Sequence, residues 1–275
     1  MTITAIIVLL ATGVGVGFAS GLLGVGGCFI MVPVQYWVYT STMDLPTDLA
    51  IKLAFGTNLL VVLPTAMSGA WGHHRRGAVW WKAAMVLGGC GLVGALAGAT
   101  AAANISGSAL KVAFGAVILA AALRMLTAKP PKVEEGAKDS PWLWAAWGFP
   151  LGIVTGLIGI GGGVLMVPVM VLSLRFKMHH AVGTSTALMI LTSIGGVIGY
   201  IVNGLGVDGI PSPSIGYVHI WSWLALAATS IAVAQLGART AHMLPARQLR
   251  WLFIAVMIYM GLKMIGLFDW LDWPI

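Results

Sequence analysis

The chain has 275 residues, 59% of them hydrophobic and only 8% charged, with a formal net charge of +7. So few charges cannot cover a water-soluble surface of that size, which excludes a soluble globular protein and indicates an integral membrane protein. Most of the basic residues stand beside apolar segments, where Lys and Arg set orientation, so the positive balance does not argue for a nucleic-acid partner.

Apolar segments are predicted at about 3–22, 28–40, 49–72, 78–103, 109–127, 142–158, 164–175, 180–203, 217–243 and 248–268, several of them near the ~20 residues that cross a hydrocarbon core of ~30 Å. No basic residue precedes the first run, so that segment is expected to stay in the mature protein and not to act as a cleavable signal. Cys28 and Cys90 form no spaced motif, which gives neither a disulfide framework nor a metal site.

The first segment leads into a glycine knot. Ser20–Val34 reads SGLLGVGGCFIMVPV, and Thr155–Val169, at the same place in the later half, reads TGLIGIGGGVLMVPV. Nine of fifteen positions are identical, where chance gives roughly one or two, so the chain reads as a duplication. Weaker matches extend it: Gly56-Thr57 with Gly183-Thr184, Thr65 with Thr192, Gly98-Ala99 with Gly237-Ala238, and Leu110-Lys111 with Leu249-Arg250. The polar stretch 129–141, with paired prolines and mixed charges, reads as a linker. This divides the chain into a first membrane repeat (1–128), a cytoplasmic linker (129–141) and a second membrane repeat (142–275).

Loop charge supplies an orientation. The 41–48 loop carries Asp44 and Asp48 without a base, whereas 73–82 carries His73, His74, Arg75, Arg76 and Lys82, so the first is expected outside and the second in the cytoplasm. The linker and Arg175/Lys177 then both read as cytoplasmic, which requires 142–175 to enter and return on one side with its knot as the reversal point. By the same logic 3–40 returns on the outer side. The fold expected is therefore all-α and polytopic, with two inverted repeats, each a glycine-broken helical hairpin followed by three transmembrane helices. If each knotted segment is instead one continuous crossing, the alternative is four plus four transmembrane helices in parallel halves.

New helices are expected to start near Cys28 and Val164. Gly26, Gly27, Gly161, Gly162 and Gly163 would then leave backbone N–H groups free at a helix N-terminus, which carries about half a positive charge and attracts anions in a low-dielectric cavity. The pairs Gly17/Gly21 and Gly152/Gly156 have the spacing of close helix packing and are assigned to it. Thr57-Asn58 and Thr184-Ser185 occupy matching places in the next helix of each half, where they offer hydrogen bonds either to a substrate or to a neighbouring helix. All eight carboxylates fall in loops, segment ends or the tail, so a cation pathway is disfavoured. Among basic residues Lys52 and Arg239, flanked by apolar sequence, are the anion-attracting candidates; Arg124, Lys82 and Lys263 are expected to snorkel. The adjacent pairs His73-His74 and His179-His180 lack metal-ligand spacing and read as interfacial. The tryptophans near segment ends, among them Trp71, Trp80, Trp81, Trp142, Trp144, Trp270 and Trp273, read as an aromatic belt. No hydrolytic or metalloprotease motif occurs, so no enzyme, metal or cofactor is expected.

The knots, the run Gly56-Thr57-Asn58 … Pro64-Thr65 … Gly69 … His73-His-Arg-Arg-Gly77, and the matches at Gly183-Thr184-Ser-Thr186 and Gly237-Ala238 together resemble the sulfite exporter TauE/SafE family of membrane transporters, over about residues 5–268. The resemblance implies a bacterial inner-membrane protein carrying a small sulfur-containing anion such as sulfite, thiosulfate or an organosulfonate. Cys28 departs from the internal pattern, since the second half has Gly163 there. It weakens the first knot as an equal site and offers a soft contact to sulfur. The reading is a secondary transporter holding a small anion at broken-helix N-termini near the bilayer midplane; the alternatives are an anion channel and a non-transporting membrane scaffold. The partners expected are that anion and the lipid bilayer, with a homo-oligomer left open.

Overall fold

The computed structural model describes residues 2–23, 26–127, 139–240 and 246–267. The described chain is nearly all helix: α1 (Ile3–Leu23), α2 (Cys28–Thr42), α3 (Thr47–His74), α4 (Trp81–Ala103), α5 (Gly107–Thr127), α6 (Pro141–Leu157), α7 (Gly163–Leu172), α8 (Met178–Gly204), α9 (Ile220–Thr240) and α10 (Ala246–Ile265). A two-residue ribbon, β1 (Ser214–Ile215) against β2 (Val218–His219), precedes α9. The segment predicted from 217 therefore becomes helical only at Ile220, after this ribbon has turned the chain.

Among the described residues six helices, α1, α3, α4, α5, α8 and α9, are long and apolar enough to cross a membrane, and the chain is a polytopic membrane protein. The short limbs are different. With ten residues, α7 rises only about 15 Å, half of a hydrocarbon core, and cannot cross alone. Both α2 and α7 begin at a glycine break and carry a proline five residues in, Pro33 and Pro168. Two or three residues past the end of each stands a non-glycine residue in the left-handed region, Asp44 (φ 53°) and Arg175 (φ 61°). At the start of α6, Ser140 accepts from the Leu143 N–H and Pro141 sits at the first helical position, as caps favour. The expected linker lies largely outside the described residues.

Helix pairing is reciprocal between the two halves of the chain. The most extensive pairings are α4 with α6 and α1 with α9; α3 also packs on α8 and α9, α8 on α4, and α5 on α10. Gly148, Gly152 and Gly156 lie in turn against Leu87, Gly91 and Ala95, so α6 runs alongside α4 in the same direction. Gly13, Gly17 and Gly21 lie in the same way against Leu226, Ser230 and Ala234. A β-carbon added to Gly152 would stand 2.4 Å from the Gly91 carbonyl oxygen, which is why the sequence spacing of small residues has to be kept here.

Two ends of the bundle are defined by their contacts. At one, Asp48 accepts from the Gly107 N–H, and Asn203 donates to Thr100. At the other, Lys82 pairs with Asp139, and the Trp80 N–H donates to Thr184. His73, expected at the interface, is buried there, with Nε2 3.0 Å from the Gly21 carbonyl, so it ties the end of α3 to α1. Trp144 also departs from the belt: it is fully buried beside Trp80 and Phe176, while Trp71, Trp81 and Trp142 are exposed as a belt requires. Trp270 and Trp273 lie outside the described residues.

Candidate functional site

The breaks predicted from sequence are real turns of the backbone. Gly26 and Gly27 have φ of 77° and 64°, and Gly161 and Gly162 have 75° and 102°. A side chain in that region costs roughly 1–2 kcal/mol, so glycine is what lets each helix stop and restart here. In α2 and α7 the residue before the first turn is glycine, Gly27 and Gly162, and neither helix has a side-chain cap. The first-turn N–H groups of a helix have no intrahelical acceptor, so these two ends present positive backbone poles.

The fold brings the two breaks together. A β-carbon on Gly26 would lie 3.3 Å from Met189 Sδ and 3.6 Å from a Val62 methyl, and one on Gly161 would lie 3.0 Å from another Val62 methyl. Val62 and Met189 stand near the middle of α3 and α8, at matching places when Gly56 is aligned with Gly183. Residues about 135 positions apart in sequence thus meet on the central α3–α8 pair.

Around the second break the polar groups converge. The Asn58 amide donates to the Gly159 carbonyl, and the Thr192 hydroxyl donates to the Gly161 carbonyl at 2.9 Å. The Ile160 N–H returns to the Thr155 carbonyl at 3.2 Å. Gly163 forms the first residue of α7 itself, so the helix starts one residue ahead of the expected Val164. Cys28 similarly opens α2 and is fully buried.

Thr57 and Thr184, the repeated hydroxyls, make the same bond in each half. Thr57 accepts from the His219 N–H at 2.9 Å, and Thr184 accepts from the Trp80 N–H at 3.0 Å. Each bond ties one half of the chain to the other, because 57 and 219, like 184 and 80, come from opposite halves. Ser185 is buried beside Thr184. Lys52 is held by Asp48 at 3.0 Å and by the Ala103 carbonyl at 3.0 Å, which answers its charge at one end of the bundle, away from the breaks. Arg239 is exposed in the last turn of α9. The structure therefore gathers Gly26, Gly27, Asn58 and Gly161–Gly163 at the centre and leaves Lys52 and Arg239 at the ends.

Two groups were missed by the sequence reading. One is a buried polar cluster on the first-half side: Tyr39 donates to Gln35 at 3.2 Å, His219 Nδ1 lies 2.8 Å from the Ser222 hydroxyl, and the Tyr39 and His219 rings meet edge-on at 5.9 Å. No local motif announces it, because α2, α3, β2 and α9 each contribute. The other is the hydroxyl pair Ser20 and Thr155, both fully buried and both without a hydrogen-bond partner among the described residues. Their signal was available: they head the two aligned knot stretches at the same register. A hollow of about 380 Å³ lies between α5, α6 and α7, apolar except for Arg124 and Ser173, with Leu165 of the first α7 turn on its wall. Among the described residues no cluster of His, Cys, Asp or Glu could hold a metal.

Comparison with known proteins agrees with this architecture. The sulfite exporter TauE/SafE family matches residues 9–264. A probable membrane transporter protein of Haemophilus influenzae is 28% identical over 270 residues, 95% of this chain and 98% of that protein. One from Methanocaldococcus jannaschii is 29% identical, covering 94% of each chain, and one from Bacillus subtilis is 28% identical over 72% of this chain and 79% of its own. No solved structure matches. The chain belongs to the sulfite exporter TauE/SafE family: it is a membrane transporter, not an enzyme, and a multi-pass protein of the cell membrane.

Proposed function

We propose that this transporter carries a small, sulfur-containing anion, such as sulfite, thiosulfate or an organosulfonate, as a secondary transporter, and that the anion is held between the two broken helices at the centre of the bundle. The observation that carries the reading is the meeting of the two glycine breaks on Val62, through Gly26 and Gly161, each just ahead of a helix N-terminus without a side-chain cap. Each N-terminus carries about half a positive charge, and in a medium poor in water such a pole attracts an anion that has left its hydration shell.

The halves are read as inverted repeats, 1–128 and 142–275. Support comes from directions. The start of α3, the α4–α5 turn and the end of α8 share one end of the bundle, while the α3–α4 turn, Asp139 and the start of α8 share the other. Because α6 runs alongside α4 and the Phe176 ring stacks on Trp80 at 5.0 Å, α6 and α7 leave from and return to that second end. The first hairpin, with Tyr36 near Thr47 and α1 alongside α9, does so from the opposite end. The end carrying Arg75, Arg76 and Lys82 faces the cytoplasm by its charge. Access alternates by rocking of one repeat against the other around the shared centre.

The test is transport in proteoliposomes against a panel of sulfite, thiosulfate, organosulfonates and carboxylates. Saturable flux of one sulfur anion, abolished by Gly162→Leu with membrane insertion retained, is the expected result. Flux that never saturates marks a channel, and absence of flux with every anion overturns the reading.

A further inference from the structure

Six threonines in these helices share one habit. Thr12, Thr40, Thr65, Thr100, Thr186 and Thr240 each donate to the carbonyl four residues back, at 2.7 to 2.9 Å. That bond satisfies a hydroxyl where no water is present. Thr155 breaks the habit. It is in α6, fully buried, and its Oγ1 has neither the Leu151 carbonyl nor any other partner.

Its direction is informative. A β-carbon on Gly162 would stand 3.3 Å from Thr155 Oγ1 and 3.6 Å from Thr192 Oγ1. Gly162 is the residue ahead of α7, whose N-terminus has no side-chain cap. The Thr192 hydroxyl is already used on the Gly161 carbonyl, so the hydroxyl left to face the helix pole is that of Thr155. A buried hydroxyl without a partner is rare in folded proteins and calls for an explanation at its position. Ser20, fifteen-residue mate of Thr155 in the aligned knots, repeats the anomaly: fully buried, no partner. A packing accident would not recur at one register in two diverged halves.

We propose that Thr155 is a ligand-contacting residue, donating its hydroxyl hydrogen to an oxygen of the anion held at the α7 N-terminus. This rests on the anion reading above and deepens it: the ligand is an oxyanion, gripped by backbone N–H groups of the α7 first turn and by one neutral hydroxyl, with no cationic side chain in the grip. A neutral grip holds an anion firmly enough to select it and weakly enough to release it to either side.

The experiment is isothermal titration of purified protein with sodium thiosulfate and sodium sulfite, together with unfolding curves of the unliganded protein, for the wild type, Thr155→Val, Thr155→Ala and Thr155→Ser. Valine keeps the shape and removes the donor. Loss of one hydrogen bond to a charged oxygen is expected to raise Kd by about tenfold or more in the valine and alanine variants, and serine is expected to bind within about threefold of wild type. Without ligand, the valine variant is expected to unfold at the same temperature as wild type or higher, since an unpartnered hydroxyl has been removed. Equal Kd values in wild type and Thr155→Val, or a lowered unfolding temperature for the unliganded valine variant, would overturn the assignment. Wild type that binds neither anion would instead defeat the sulfite and thiosulfate reading of the site itself, before Thr155 is at issue.

Discussion

The two glycine breaks are alike in backbone and differ in what surrounds them. On the first-half side the return limb α2 carries Gln35 and Tyr39, which meet His219 and Ser222 in a buried polar cluster. The matching positions in and just after α7 are Met170 and Leu174, and those in the region that donates to Thr184 are Trp80 and Ala83; there Trp80, Trp144 and Phe176 pack into an aromatic cluster. What stayed the same is the machinery of the turn: the glycines, the proline five residues into each limb, and the threonine that accepts an N–H from the opposite half. The lesson is that the shared residues build the frame and the unshared ones make one buried cluster polar and the other aromatic.

The breaks themselves also differ. A side chain on Gly27 would strike the backbone of Val16, with its carbonyl oxygen at 2.9 Å, whereas one on Gly162 meets only side-chain atoms at 3.3 Å and beyond. The largest effect is therefore expected from Gly27→Leu, which should prevent recovery of folded protein, checked by monodispersity after extraction. Gly162→Leu should yield folded protein, destabilised by the roughly 1–2 kcal/mol of left-handed backbone strain, and devoid of transport. If the two variants behave alike, the breaks are not specialised in this way.

Removing a stitch between halves comes next. Thr57→Val leaves the His219 N–H unpartnered in the interior and should lower stability by about 1–3 kcal/mol, and Thr184→Val should do the same through Trp80. Both are read by thermal unfolding, and similar losses would show that the bond is a shared structural feature. A loss confined to Thr57 would assign it to the polar cluster alone, since only Thr57 also receives the Tyr39 hydroxyl, at 3.5 Å. The smallest effect is expected from Lys52→Met. Its ion pair with the largely exposed Asp48 is worth about 1 kcal/mol or less, and anion affinity should stay within about twofold because Lys52 lies at the bundle end. A large drop in affinity would return Lys52 to the site.

Much of this was legible before any coordinates. Helix breaks at the two glycine knots followed from runs that no helix tolerates, and the packing roles of Gly17/Gly21 and Gly152/Gly156 followed from their spacing. Less visible was anything that depends on which helix lies next to which. Lys52 and Arg239 read as anion-attracting because apolar sequence flanks them, yet the chain position of Lys52 says nothing of a carbonyl about fifty residues away that occupies its ammonium. His73 and Trp144 read as interfacial because they stand near segment ends, and both are buried, His73 against the Gly21 carbonyl and Trp144 beside Trp80 and Phe176. The polar cluster joins residues about 180 positions apart, beyond any local pattern. Thr155 heads an aligned repeat, but only a buried hydroxyl without any partner, which no sequence pattern displays, distinguishes it from the other helix threonines.

The central claim is a location, and a heavy analogue of the ligand can report it. Selenite in place of sulfite, located by anomalous scattering in crystals of the protein, should give a peak at the first turn of α7, within hydrogen-bond reach of Thr155 and of the Gly163 and Val164 N–H groups. A peak beside Arg124, Lys52 or Arg239, with the centre between the two breaks empty, would contradict the account.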